Sequence, residues 1–503
     1  MSDKTGYLLK LYILPLLLPF VWGCGSSLKE HNDFDRGGQP AVVAQTVYGH
    51  RPGTPLHYTI AAFGQRPMTF RAEGLPLGLD LDAASGIISG VVEEPGEYPV
   101  RFNIKNAVGK CDVTVTFKIG DHLALTPPMG WMSWNQFGPN ISENLFREIA
   151  DALVESGMRD VGYQYIFIDD LWHGDRDDEG FIHPDPEKFP NGLRAVADYV
   201  HSKGLKLGIY SDAAERTCAG EPGSYGFEEK DALTYAKWGM DYLKYDYCGA
   251  PEDVETAKER YTAMSRVLAL TDRTIVLGIC EWGPRKPWEW GRDAGGQLWR
   301  TSWDIRDRWE YGKYRNGITG ILEILDRHAG LEKYAGPGGW NDPDMLIVGL
   351  KGNGLYTNTG GAEGGCTEDE YRSNMSLWCL LAAPLYASCD IRNMDGTTRE
   401  ILTNPEAIMV NQDVLGRQAA RVFKDGDIEI WAKPLADGHL AVGLLNRGEE
   451  AVSITTVWDI LGINGRYAVR DLWAHEEIGR FKGSFTLDVK SHETRLLRLR
   501  QAK

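Results

Sequence analysis

Acidic side chains close a series of short apolar runs. Tyr165-Ile-Phe-Ile ends on Asp169 and Asp170, Leu205-Lys-Leu-Gly-Ile on Tyr210 and Asp212, and Tyr242-Leu-Lys-Tyr on Asp246, with Lys244 two residues before it. Thr274-Ile-Val-Leu-Gly-Ile-Cys ends on Glu281 and Trp282, Leu298-Trp on Arg300 with Asp304 four residues later, and Gly339-Trp-Asn on Asp342 and Asp344. Trp134 closes the first run of this kind, and almost none of them ends on His. Three chemistries want such a set. Hard cations such as Mg or Ca take oxygen ligands. Glycoside hydrolysis needs one carboxylate as nucleophile or base, another as acid, and polar groups for hydroxyls. A zinc hydrolase would want His, which is missing. Interleaved Trp and Tyr favour sugar, because flat aromatic faces pack on C–H-rich sugar faces. Capping or ion-pairing at strand ends would explain one or two of these carboxylates, not the whole ring.

The elements that must hold these side chains are strands alternating with amphipathic helices. Helical periodicity falls at 143–156, 192–203 and 254–268, between the apolar runs. Eight such βα units over residues 121–416 predict a (β/α)8 TIM barrel, whose strand C-terminal ends and following loops build the active site. No glycine-rich phosphate loop follows the first run, which argues against a dinucleotide-binding fold. Residues 41–120 read as short strands and turns, an Ig-like β-sandwich expected to be a spacer without ligand rather than a sugar-binding module. Residues 417–503 return to β patterning and predict a C-terminal antiparallel β-sandwich.

Among 503 residues, 71 acidic side chains face 54 basic ones, a formal charge of -17. That balance disfavours nucleic acid and suits a neutral substrate such as a carbohydrate. Residues 1–24 resemble an export signal. Lys4 and Lys10 precede an apolar run too short to span a bilayer, which ends at Gly23-Cys24-Gly25-Ser26. The expectation is a periplasmic or cell-surface lipoprotein lipidated at Cys24 and tethered through residues 25–40, with a plain secreted protein as the alternative. Membrane contact would come only through that anchor. No cofactor and no metal site is expected.

Five ordered segments carry a family resemblance: Leu123-Ala-Leu-Thr-Pro-Pro-Met-Gly-Trp-Met-Ser-Trp-Asn-Gln-Phe, Phe167-Ile-Asp-Asp, Tyr242-Leu-Lys-Tyr-Asp-Tyr-Cys, Cys280-Glu-Trp and Pro337-Gly-Gly-Trp-Asn-Asp-Pro-Asp-Met-Leu. From Leu123 onward the chain resembles glycoside hydrolase family 27, the α-galactosidase and α-N-acetylgalactosaminidase family. The resemblance implies Asp246 as nucleophile and Asp304 as general acid/base. It implies substrate contacts from Trp134, Asp169, Asp170, Tyr210, Cys218, Lys244, Glu281, Arg300 and Asp344, with Glu281 reading the 2-hydroxyl. It also implies a Cys218–Cys248 disulfide. Cys280 should be a lone buried thiol, since Gly296 stands where its family partner would. Lys244 is expected to keep Asp246 ionised, and an apolar setting around Trp303-Asp304-Ile305 to keep Asp304 protonated. A retaining enzyme would set the two carboxyls about 5–5.5 Å apart. Release of terminal α-galactose is the implied activity. α-N-Acetylgalactosaminidase or β-L-arabinopyranosidase action on the same site is the alternative, and a non-catalytic surface sugar-binding lipoprotein a further one. Asp169 in place of Glu argues against the arabinopyranosidase.

Overall fold

The computed structural model describes residues 38–311, 317–354 and 365–502. The signal-like segment, Cys24 and most of the 25–40 tether lie outside the described residues. Eight central strands run parallel: β1 Met129–Met132, β2 Tyr165–Ile168, β3 Lys206–Asp212, β4 Tyr242–Asp246, β5 Val276–Ile279, β6 Leu298–Arg300, β7 Trp340–Asp342 and β8 Leu385–Ala387. They neighbour one another in chain order, and β1 pairs with β8. Across the remaining gap Leu346, just after β7, bridges in parallel to Ala387, with its N–H donating to Tyr386 O at 2.8 Å. The strands read as continuous apolar runs because both faces are covered. Phe167, Tyr242 and Tyr386 fill the interior edge-to-face, with centroids 4.6 Å (Phe167–Tyr386) and 4.8 Å (Phe167–Tyr242) apart.

Helices α1 Glu143–Glu155, α2 Gly192–Ser202, α3 Glu228–Trp238, α4 Val254–Ala269, α5 Ile321–His328 and α6 Glu368–Leu380 cover the outside. Ser142 and Asp253 cap α1 and α4, and Thr367 with Glu370 forms a capping box on α6. One unit departs from the expected alternation. Between β5 and β6 there is only a single 3-10 turn, Pro287–Glu289. Gly283, Pro284, Pro287, Gly291, Gly295 and Gly296 crowd that stretch and leave no helix-forming run.

The leading module has sheets of four strands (Val47–His50, Lys110–Ile119, Gly96–Lys105, Thr69–Glu73) and three (Pro55–Thr59, Ile87–Val91, Leu79–Leu81), closed over their own core. Several of its contacts fall at the starts of barrel strands or just before them. Gln164 Nε2 donates to Thr59 O, Thr59 Oγ1 to Gly204 O, Gln45 Nε2 to Gly162 O and Lys206 Nζ to Tyr48 Oη. Ala41, Val43, Ala44, Ala61 and Phe63 join the barrel's own apolar core. The module therefore caps the N-terminal end of the barrel, opposite the face that carries the acidic residues.

The C-terminal module pairs a six-stranded antiparallel sheet with a two-stranded one, Val452–Val457 and Ser484–Val489. It docks along α6, where Ser373 Oγ donates to His492 O and Trp473 Nε1 to Ser376 Oγ.

Candidate active site

Strand period decides which side chains meet above the barrel core. On β4, Tyr242 points into the interior, so Lys244 and Asp246 do as well. In the neighbouring strand Tyr210 and Asp212 are their direct partners. The same parity sends Phe167 and Asp169 inward at the end of β2.

Lys244 Nζ donates to Asp169 Oδ2 at 2.7 Å. Asp169 in turn orients the chain after β2, for its Oδ1 accepts the Asp170 N–H at 2.8 Å. Asp170 Oδ1 accepts the Leu171 N–H and its Oδ2 the Ala219 N–H at 3.0 Å, tying this loop to the one after β3. Leu171 sits at φ 73°, a left-handed conformation that turns the chain sharply behind the two acids. Trp134 starts a helical turn, Trp134–Phe137, directly after β1. Tyr210 is fully buried, its ring centroid 5.1 Å from Lys244 Nζ.

Asp246 is 5% exposed, and its Oδ1 is buried without a hydrogen-bond partner. Cys218 and Cys248 form the disulfide that the resemblance implied. Sγ of Cys218 lies 3.4 Å from Asp246 Oδ2. Asp212, Cys218, Asp246 and Cys248 cluster as a metal site would, with one donor atom of each within 4.8 Å of the others. The disulfide takes both sulfurs out of the thiolate form that binds metal, leaving two carboxylates.

The acid half of the site is organised by Arg300. Its Nη2 donates to Asp304 Oδ1 at 3.1 Å and pairs with Asp344 Oδ2 at 3.1 Å. Asp344 Oδ2 also accepts the Ile305 N–H, and the Asp344 N–H donates to Asp342 Oδ1. Asp344 holds this place at φ 85°, a strained conformation for a residue with a side chain. Arg300 Nη1 lies 3.7 Å from Sγ of Cys280, and the charges of both Asp246 and Arg300 act on that thiol. Cys280, a free buried thiol as expected, thus sits between the two halves. Sequence reasoning missed that position, although the period was available: Gly278 faces Tyr242 inside the barrel, so Cys280 points inward and Glu281 outward.

Glu281 corrects an expectation. Its side chain has no exposed surface, Oε1 accepts the Gly283 N–H, and Oε2 accepts the Arg285 N–H and guanidinium, each near 3.0 Å. The carboxylate folds back on its own loop because the chain turns at Trp282, φ 60°, and Gly283, φ 91°. It braces the loop instead of facing a hydroxyl. Trp282 then stacks on Trp303, with centroids 5.2 Å apart.

The charges are also arranged otherwise than expected. Burial pushes Asp246 up to about 7; Lys244 opposes this, while the charges of Asp169 and Asp304 add to it. Burial would also raise Asp304, but Arg300, with Arg306 at 3.9 Å, overcomes it and holds that carboxyl below its ordinary value. The surroundings of Asp304 are cationic, not apolar. Of the two, Asp246 is the harder carboxyl to ionise.

Among the described residues no barrel strand ends on His, and the carboxylates, Lys244, Arg300, Arg306 and the aromatics stand in one cluster. The family model Melibiase_2, alpha galactosidase A, matches residues 126–413. The chain belongs to the α-galactosidases of glycoside hydrolase family 27. The C-terminal β-sandwich domain of the same family matches residues 425–499, and the Ig-domain model He_PIG residues 39–120. The chain is 47% identical over 393 residues to alpha-galactosidase A of Cellvibrio japonicus (strain Ueda107), covering 75% of this chain and 93% of that protein. A crystal structure from Bacteroides fragilis NCTC 9343, assigned as an alpha-galactosidase, matches with TM-score 0.88 and 45% identity over 93% of this chain and 98% of that one. The alpha-galactosidase of Saccharomyces cerevisiae, solved with raffinose, matches with TM-score 0.69 and 31% identity over 76% of this chain and 98% of that one.

Proposed function

We propose that this family 27 enzyme removes terminal α-linked D-galactose from oligo- or polysaccharides by double displacement. Asp246 attacks the anomeric carbon while Asp304 donates a proton to the departing glycosidic oxygen. Water then enters the vacated side, gives its proton to Asp304, and releases galactose from Asp246 with its α configuration retained. Asp169, Asp170 and Lys244 hold the outer hydroxyls of the sugar, and Arg300 with Asp344 fixes Asp304.

The observation that carries this reading is the contrast between the two acids. Asp246 is nearly enclosed with one oxygen unpartnered, whereas the Asp304 side chain is 29% exposed, far more than Asp169 or Asp344 at 3% each. An enclosed nucleophile suits the buried terminal sugar, and a more open acid suits a leaving group that extends outward. The cationic setting of Asp304 means that its acid form depends on occupancy: a sugar that excludes water raises that carboxyl. The raffinose complex of the yeast relative supports a galactose-terminated substrate.

Proton NMR of the first product formed from raffinose tests the reading. α-Galactose should appear first and then mutarotate; β-galactose first would reject double displacement. Negligible rate on a nitrophenyl α-galactoside beside a fast rate on the N-acetylgalactosaminide or arabinopyranoside would reject the substrate. Export as a lipoprotein anchored at Cys24 belongs to the same proposal and rests on residues 1–24. Cys24→Ser should shift the protein from the membrane fraction to the soluble one, and an unchanged membrane association would reject the anchor.

A further inference from the structure

Asp212 is fully buried and stands directly opposite Asp246 in the pairing of β3 with β4. A carboxylate oxygen of each lies within 4.8 Å of one from the other, and in both residues Oδ1 is buried without a partner. Asp212 Oδ2 accepts the Cys248 N–H at 2.9 Å and lies 3.9 Å from Sγ of Cys218, so it also fastens the disulfide loops to the strand. Two carboxylates this close and this enclosed do not both ionise.

Their surroundings differ in one respect. Asp246 shares its strand face with Lys244, whose charge favours its anion. The charges that reach Asp212, from Asp246 on β4 and Asp170 after β2, are both negative. The phenols of Tyr210 on β3, Tyr245 on β4 and Tyr261 on α4 are within reach of the Asp212 charge, and burial keeps all three neutral.

We propose that Asp212 is a positioning residue that holds a proton beside the nucleophile, so that when the buried pair loses its first proton the negative charge resides on Asp246. Burial, followed by the Asp246 charge, pushes the Asp212 carboxyl up to about 9, in keeping with that allocation. The inference rests on the reading of Asp246 as nucleophile, and it assigns the protein a neutral carboxylic acid that takes no part in bond making. An ionised Asp212 would drive a proton onto Asp246 and stop the attack.

The test compares full-length wild type, Asp212→Asn and Asp212→Ala on a nitrophenyl α-galactoside and in thermal unfolding, each between about pH 5 and 9. Asn stays neutral and can still accept the Cys248 N–H. Asp212→Asn should stay within about threefold of wild-type kcat/KM with both limbs of the pH profile in place, while Asp212→Ala should lose about tenfold or more in kcat. A raised carboxyl stabilises the fold at low pH and loses that contribution as pH climbs towards its folded value. The Tm of Asp212→Asn relative to wild type should therefore rise steadily with pH. Limbs displaced downward by about one unit in Asp212→Asn would mean that the native residue is charged. That result, a Tm difference flat with pH, or an Asn variant as impaired as the Ala variant would each overturn the proposal. Should Asp246→Ala retain full turnover, the nucleophile reading fails instead, and the Tm comparison still reports the Asp212 proton.

Discussion

Lys244 spends its hydrogen bond on Asp169, 2.7 Å away, and reaches Asp246, on its own strand, only through its charge. One ammonium thus compensates a buried sugar-gripping carboxylate directly and the nucleophile at a distance. Lys244→Met would leave Asp169 as an uncompensated buried acid and remove the charge that opposes protonation of Asp246. We expect kcat/KM on a nitrophenyl α-galactoside to fall by about a hundredfold or more, in line with loss of an interaction worth roughly 3 kcal/mol. The alkaline limb of the residual activity should move to higher pH, because Lys244 lowers the Asp246 value that sets it. A limb that stays in place would show that the charge does not reach the nucleophile.

The pH dependence of kcat/KM follows from one proton shared by two acids. With Asp246 raised to about 7 and Asp304 held below its ordinary value, the pair carries a single proton between those two steps. Activity should be greatest in the mildly acidic range and fall as pH rises through about 7, where the last proton leaves. Replacing Arg300 by Leu removes the cation that holds Asp304 low, so the acid limb should move upward even as the rate drops. Steady-state rates across the range with one nitrophenyl substrate decide this.

The sequence carried the barrel because its parallel strands are buried on both faces and read as unbroken apolar runs; seven of the eight runs contain the observed strand, and the first, read from Gly130, misses only Met129 at the start of β1. It overstated the helices, since a run of Gly and Pro after β5 replaces one of them with a single turn. Acids at strand ends were legible by position. Their charge states were not, because Arg306, which helps to hold Asp304 low, comes from the loop beyond β6, where no periodicity fixes direction. Cys280 and Glu281 were separable by strand parity alone, whereas the fold-back of Glu281 onto Arg285 depends on two left-handed residues. Docking of the leading module involves scattered polar groups, Gln45, Thr59, Gln164 and Lys206, with no pattern to read.

Glu281 braces a loop, so its removal should act on order before chemistry. Glu281→Ala leaves the Gly283 and Arg285 N–H groups and a guanidinium without their acceptor, costing about 1–3 kcal/mol in denaturant unfolding. Loss of the Trp282–Trp303 stacking should then appear as a larger KM than kcat effect. A variant with native stability would contradict the bracing role.

Arg51 of the leading module donates through its guanidinium to the carbonyls of Leu268 and Ala269 at the C-terminal end of α4 and of Arg273 in the loop after it. A cation there completes unsatisfied carbonyls and complements the helix dipole. Arg51→Ala should destabilise the protein by about 1–3 kcal/mol in chemical unfolding. Because the contact lies on the far end of the barrel from Asp246, kcat should not change. A stability equal to wild type would show that the module is merely tethered.

The most direct test of the account is chemical rescue of Asp246→Ala. With the carboxylate gone, turnover of a nitrophenyl α-galactoside should vanish, and added azide should restore release of nitrophenol by occupying the vacated side of the anomeric carbon. The product should be β-galactosyl azide, inverted because the second displacement is missing. Wild-type-like turnover without azide, or an azide adduct of α configuration, would contradict Asp246 as the nucleophile.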